Sequence, residues 1–399
     1  MFSRYFNGCP MFNIEGFTFP VDVYYLEDVI ERTKFEFPEK PNKTSSWAKQ
    51  QELDFEHFIG PHVRKLKSDR DYSSHTIRQI SKSESEEPCI ELIQALLEYI
   101  CRTDFDNGAI LVFVDGWDMI SKLCDQLQNC GRFPSGRYSI FPLHSMIPTA
   151  HQRKIFERPP PNVRKIIIAT NIAETSITVD DIVFVVDTGK IKMTNFDVKN
   201  NIETLDSEWV SLANAKQREG RSGRVQNGIC YHLYSKARLL ELESFKKPEI
   251  LRKRIDEVIL QIKMLKLGHA HPFLNRLLES PSTKAIDLSL QRLNSLAALD
   301  DDENLTPLGF HLAQLPMDPQ TGKMILMAAV FSCCDPVFSV AAALSYKDPF
   351  HIPMGKEAYV DEIRKQLSNN EKSDHMVNWH LSLHMLDLRG HKIIFGVIY

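Results

Sequence analysis

The sequence predicts an α/β domain built on a parallel sheet, followed by a small winged-helix-like unit and a short apolar helical bundle. Three observations carry this. Between residues 89 and 235, short strand-type runs alternate with amphipathic helices. Those runs are continuously apolar, as strands covered on both faces must be. After residue 245 the strand-type runs cease and helical periodicity takes over.

Each element follows in order. Residues 1–30 hold "MFNIEGFTFPVDVYYLEDVI", an extended aromatic and β-branched segment leading into a helix. Residues 31–88 are charged and polar around a Pro-Glu-Lys-Pro-Asn cluster, and predict a solvated surface insertion with some helix and some disorder. Next come the helix "CIELIQALLEYICR", the strand "GAILVFVDG", the helix "WDMISKLCDQLQNC", the strand "YSIFPLHS" and the short helix "AHQRKIFER". The strand "VRKIIIAT", the loop and helical turn "NIAETSIT", and the strands "DIVFVVDTG" and "GICYHLYS" complete the alternation. Residues 189–209 read as two polar strands around Lys-Asn-Asn, a hairpin projecting from the sheet. "KPEILRKRIDEVILQIKMLKLG" is a helix with a glycine stop, and "AIDLSLQRLNSLAALDDDENLTPLG" a second helix and a turn, which together resemble a small winged helix. "KMILMAAVFSCCDPVFSVAAALS" gives two apolar helices that need partners.

Composition narrows the classes. A net charge of −4 excludes a protein that coats nucleic acid through bulk basicity, so any such site is a local patch. No run of 18 apolar residues appears, which predicts no membrane association, and the acidic first 30 residues do not read as a targeting peptide. Eight cysteines without a CxxC pair predict free thiols, no metal site and a cytoplasmic or nuclear setting.

One stretch asks for chemistry. "NAKQREGRSGR" sets Gln217, Arg221 and Arg224 at i, i+4 and i+7, one face if the segment is helical throughout. Two glycines inside a helix would cost about 1 kcal/mol each, so an ordinary helix would not choose them. Arginine suits phosphate because its planar fork matches the oxygens and never deprotonates. "IIIATNIAETSIT" places Thr170 and Asn171 at a strand's carboxyl end, before a helical turn whose N–H groups suit an anionic oxygen. Asp180 and Asp181 open the next strand. The residues alone leave Phe156 open between core and base platform, and Thr178 and Asp180 between a turn cap and a ligand contact.

These motifs resemble those of the DEAH/RHA family of ATP-dependent RNA helicases. "ATNIAETSITVDDIVFVVDTGKIK" and "QREGRSGR" are similar to its motifs V and VI, and "LVFVDGWDMI" to motif IV. "PLHSMIPTAHQRKIF", "GFTFPV", "LTPLG" and "LPMDPQTGKMIL" fall in the family's order, over about residues 1–375. "EGFTFPV", "GWDMI" and "NAKQREGRSGRVQNGICYHLY" resemble most its G-quadruplex-resolving member.

The resemblance implies a second RecA-like domain over 1–241, a winged helix over 242–315 and a truncated, ratchet-type bundle with a divergent tail over 316–399. It implies that Gln217, Arg221 and Arg224 meet ATP phosphates, one arginine acting as a finger, and that the glycines admit the facing domain. Thr178 and Asp180 would reach the ribose, and Phe156 would stack on adenine. Ser145, Thr170 and Asn171 would contact the RNA backbone, and the 189–209 hairpin would separate strands. RNA, including G-quadruplex RNA or DNA, is the implied partner. Ser222 departs from the family's usual alanine.

Phosphoryl transfer also needs a GxxxxGK[S/T] loop and an acidic magnesium box, and neither stands in the sequence. Both, with the Mg2+ ligands, are expected on a first RecA-like domain preceding this chain, so the chain alone is expected not to hydrolyse ATP. The other reading is a non-catalytic, RNA- or partner-binding short form.

Overall fold

The computed structural model describes residues 2–12, 19–38, 46–103, 108–147, 152–175, 178–200, 202–346, 350, 357–369 and 371–387. Part of "GFTFPV" and the tail from 388 lie outside the described residues. In chain order the strands are β1 (Val21–Tyr24), β2 (Ala109–Phe113), β3 (Tyr138–Leu143), β4 (Arg164–Ala169), β5 (Ile182–Asp187), β6 (Lys190–Asp197), β7 (Ile202–Trp209) and β8 (Gly228–His232).

Six of them form a parallel sheet in the order β1-β8-β5-β2-β4-β3, and β6 pairs with β7 in a separate hairpin. The order follows from burial. Every residue of β2 and β5 is buried, as is β4 beyond Arg164, so these apolar runs take the middle. Ile110 pairs with Ile166 and Phe113 with Ala169, while Leu111 faces Val185 on the other side. β3 and the short β1 take the edges.

Helix Ile90–Arg102 buries Leu92, Ile93, Leu96, Leu97 and Ile100, a single stripe at helical spacing. Helix Trp117–Asn129 buries Ile120, Leu123, Cys124 and Leu127 in the same way. Each such side chain contributes about 1.5–3 kcal/mol on leaving water.

The stretch 31–88 differs from expectation. Its described part is largely helical and packed, over Ser46–Asp69 and Ser74–Ile80. Ile59, Val63, Leu66, Ile77 and Ile80 are buried. Polar contacts hold the stretch as well: His62 Nε2 lies 2.6 Å from Glu27 Oε1, and Arg238 Nε donates to Glu86 Oε2 at 2.8 Å. The few apolar residues stand at helical spacing within a charged background, so composition hides a buried stripe.

The hairpin forms where the sequence places it. Its turn closes on Asp197, whose Oδ1 accepts from Lys199 N at 2.8 Å and Asn200 N at 3.3 Å. At its base Gly189 has φ +74°, and a Cβ there would lie 2.4 Å from Tyr234 Cδ1.

The chain divides into two compact units, one of Phe12–Met193 with Leu205–Lys246, the other running from Lys247 and including Thr194–Thr204 and the segment up to Met11. In the second, helices Asp256–Met264, Ala270–Leu274, Thr283–Ser295 and Pro307–Gln314 enclose a core of Ile259, Leu260, Ile286, Leu293 and Leu312. The first of these helices begins only at Asp256, after a 3-10 turn, so it is shorter than the sequence pattern suggests. Leu299 and Leu305 pair in an antiparallel bridge, the stub of a wing. Helices Pro319–Val330, Cys334–Ser345, Glu357–Leu367 and Asp374–Asp387 follow. Among the described residues no helix is long and apolar enough to cross a membrane.

Candidate functional site

The arginine row starts on a capped helix and ends off it. Ser211 accepts from Asn214 N to open helix Leu212–Glu219, and Gly220 closes it. Arg221 and Ser222 then tighten into turns, with Arg221 N donating to Arg218 O at 3.0 Å and Ser222 N to Glu219 O at 3.1 Å. The single helical face expected over 217–224 is therefore not formed, and the two glycines lie outside the helix. Gln217 and Arg221 nevertheless stay together: Arg221 Nε donates to Gln217 O at 3.4 Å. Arg224 Nη1 donates to the Thr178 hydroxyl.

Gly223 serves this chain's own packing. A Cβ there would stand 2.7 Å from Phe19 O and from Val21 Cγ2, and Gly223 O accepts from Phe19 N at 2.9 Å. The glycine admits the segment entering β1, a nearer cause than a facing domain.

Electrostatics set Arg221 apart. It is 9% exposed, and burial together with the neighbouring Arg224 lowers its pKa, with Glu174 opposing. Two guanidiniums held this close repel, and an anion between them relieves the repulsion. Gln217 is exposed beside them.

Arg218, off that face, is structural. Fully buried, it donates from Nε to Glu174 Oε1 at 2.8 Å and from Nη1 to Asp187 Oδ1 at 2.5 Å and Lys190 O at 3.2 Å. Asn214 Nδ2 reaches the other Glu174 oxygen at 2.8 Å, and His232 Nδ1 lies 3.0 Å from Asp187 Oδ2. Burial pushes the Asp187 carboxyl up, but Arg218 and His232 outweigh it and hold the group well below the usual carboxylate range. Cys230 Sγ stands 3.7 Å from His232 Nε2, so cysteine, histidine and aspartate are aligned. Burial drives that thiol far up and no solvent reaches it, so the alignment is not a nucleophilic site.

Two ends of the sheet divide the remaining residues. β3 and β4 run in register, Leu143 beside Ala169, so Ser145 and Thr170–Asn171 leave the carboxyl ends of neighbouring strands. Ser145 and Asn171 are exposed and Thr170 is buried. The turn after them spans only Ile172–Thr175, and its Ala173 and Glu174 N–H groups donate to the Thr170 and Asn171 carbonyls. Those two donors are spent inside the turn, which weakens the expected N–H fan.

Asp180 precedes β5 at the opposite, amino end. It lines a cleft of about 650 Å³ with Arg137, Arg158, Asp181 and Gln226. Phe156, on the 3-10 turn Arg153–Phe156, is 51% exposed, so its ring is no core residue. The rule that ligands collect at strand carboxyl ends thus fits Ser145, Thr170 and Asn171, but not Asp180. Among the described residues no three His, Cys, Asp or Glu gather to hold a metal ion.

Sequence reasoning missed Lys165 and the Arg218 network. A lysine inside "VRKIIIAT" and an arginine off the chosen face were the available signals.

Comparison with known proteins agrees with this architecture. Residues 91–226 match the helicase conserved C-terminal domain, 289–317 the winged-helix part of the helicase associated domain, and 318–377 its ratchet-like part. The chain is 50% identical over 388 residues to the human ATP-dependent DNA/RNA helicase DHX36, covering 94% of this chain and 38% of that protein. It is 41% identical over 391 residues to the DExH-box ATP-dependent RNA helicase DExH1 of Arabidopsis thaliana, with 94% and 38% covered. With the human putative ATP-dependent RNA helicase DHX57 the identity is 38% over 405 residues, covering 90% and 29%. The chain thus spans between 29% and 38% of these relatives' length. A parallel RecA-like sheet bearing the arginine row, followed by winged-helix and ratchet-like units, places the chain in the DEAH/RHA family of helicases.

Proposed function

We propose that this chain supplies one wall of the ATP cleft, and part of the nucleic-acid track, of an ATP-dependent RNA or DNA helicase. The carrying observation is Arg221, nine-tenths buried beside Arg224 and lowered in pKa by burial and by that neighbour. Such a pair is a receptor for anionic oxygens, which the triphosphate of ATP would supply. In this reading Arg221 and Arg224 stabilise charge developing on the transferred phosphoryl group, and Gln217 orients groups beside it. Thr178 steers Arg224, Asp180 meets the ribose, and Phe156 offers its exposed ring to the base. Ser145, Thr170 and Asn171 take nucleic-acid phosphates at the carboxyl ends of β3 and β4, the end of the sheet opposite Asp180.

The phosphate loop and magnesium ligands would come from outside these residues. The resemblance to the G-quadruplex-resolving member favours structured RNA or DNA as substrate, with the 189–209 hairpin as strand separator, in a cytoplasmic or nuclear setting. The test is Arg221→Ala in a helicase carrying this chain together with a phosphate-loop domain. RNA-stimulated ATP turnover should fall about 10³-fold or more with RNA affinity retained. Unchanged turnover overturns the assignment.

A further inference from the structure

Lys165 is 1% exposed, the second residue of β4, directly before the apolar run Ile166–Ala169. Burying an ammonium is strongly unfavourable unless every donor is met. Here three acceptors converge on it: Ile155 O at 2.7 Å, Glu157 O at 3.0 Å and Asp181 Oδ2 at 2.9 Å. Ile155 and Glu157 flank Phe156, and Asp181 adjoins Asp180. One buried charge therefore grips the main chain on both sides of the exposed ring and also the turn that carries the cleft carboxylate.

The gripped segment needs it. Arg153–Phe156 is a four-residue 3-10 turn, too short to hold its own geometry. Its last backbone bond, Glu157 N to Lys154 O, is 3.2 Å long, and Ile155 anchors the turn in the core at 1% exposure. Lysine suits the task because its three donors splay tetrahedrally from one rotatable ammonium toward divergent acceptors, whereas the planar fork of arginine does not.

We infer that Lys165 is a positioning residue for nucleotide binding, fixing the Phe156 ring relative to Asp180 so that base and ribose are met in one geometry. This rests on the nucleotide reading proposed above. Lys165 touches no nucleotide itself and acts only through the two carbonyls and Asp181.

The test uses this chain within a helicase that also carries a phosphate-loop domain, and two readouts. In Lys165→Met, paired with Asp181→Asn so that no carboxylate is stranded, amide hydrogen exchange over 152–157 and 178–181 should quicken about tenfold. Amides of β2 and β5 should keep their protection, which reports an intact sheet. Photolabelling with 8-azido-ADP, mapped by mass spectrometry and competed with ADP, should mark the 152–158 peptide of the wild-type chain. In the double variant that labelling should drop about fivefold, and in Asp181→Asn alone, which loses one contact and keeps both carbonyl bonds, by clearly less. Equal labelling of the double variant and wild type overturns the role of Lys165 and leaves the nucleotide reading standing. A wild-type chain with no ADP-competed label near Phe156 overturns both.

Discussion

Arg218 and Asp187 meet at 2.5 Å with both side chains fully buried, tying the helix of the arginine row to the end of β5. The pair is extended by Glu174 on one side and His232 on the other. Removing one partner of such a pair strands the rest. Arg218→Met should destabilise the first unit by about 3–5 kcal/mol. Urea unfolding followed by tryptophan fluorescence measures it, and a loss below 1 kcal/mol would contradict the buried-network account.

Glu31 predicts an acid limb. Burial alone would raise its carboxyl, but bonds from Lys34, Thr76 and Ser73 win and lower it from 4.5 to about 2. A carboxylate depressed on folding stabilises fully above its unfolded value and loses that contribution as pH falls toward the folded one. Stability should therefore decline between about pH 4.5 and about 2, and Glu31→Gln should flatten that part of the curve. Denaturant midpoints across this range, wild type against variant, are the check. Identical slopes would remove Glu31 from the account.

At Gly223 the added methyl of alanine would press on Phe19 O and Val21 Cγ2, both at 2.7 Å. The backbone must shift, at about 1–3 kcal/mol. Because Arg224 follows directly, ATP turnover in the assembled helicase should drop by more than the melting temperature alone explains. A variant with wild-type melting and turnover would show that the contact is slack.

Thr178 should matter through Arg224 alone. Thr178→Val keeps the shape and removes the hydroxyl that accepts from Arg224 Nη1. Loss of one such bond corresponds to a rise in KM for ATP of up to about tenfold. Titrating RNA binding in parallel should show no change, since the lost hydroxyl serves Arg224 and neither Ser145 nor Thr170. An effect on RNA rather than ATP would reassign the residue.

Much of this was legible because the sheet is parallel. Continuous apolar runs such as "AILVF" and "IVFVV" announce buried strands, and two polar strands around Lys-Asn-Asn announce the hairpin. Other features were hidden for physical reasons. Helical spacing put Gln217, Arg221 and Arg224 on one face, but a helix ends where its hydrogen bonds do, and that is at Glu219. Residues 46–88 looked solvated because their buried stripe is thin and their charges many. Lys165 and Arg218 were illegible as anchors, since only the fold shows which carbonyls and carboxylates converge on them.

Among the described residues β1 pairs only with β8, Val21 beside Gly228, and Glu27 accepts from Lys236 N across 209 residues of chain. This pairing has a consequence in time. During synthesis β1 leaves the ribosome long before its partner β8, and the sheet can close only after β8 emerges. Local helices can form early, but closure waits on a contact of high sequence separation, the kind that slows folding. The first thirty residues, aromatic and β-prone, are exposed to unwanted pairing throughout that interval. Chaperone dependence should accordingly centre on this segment, and it should end when residues 228–236 become available.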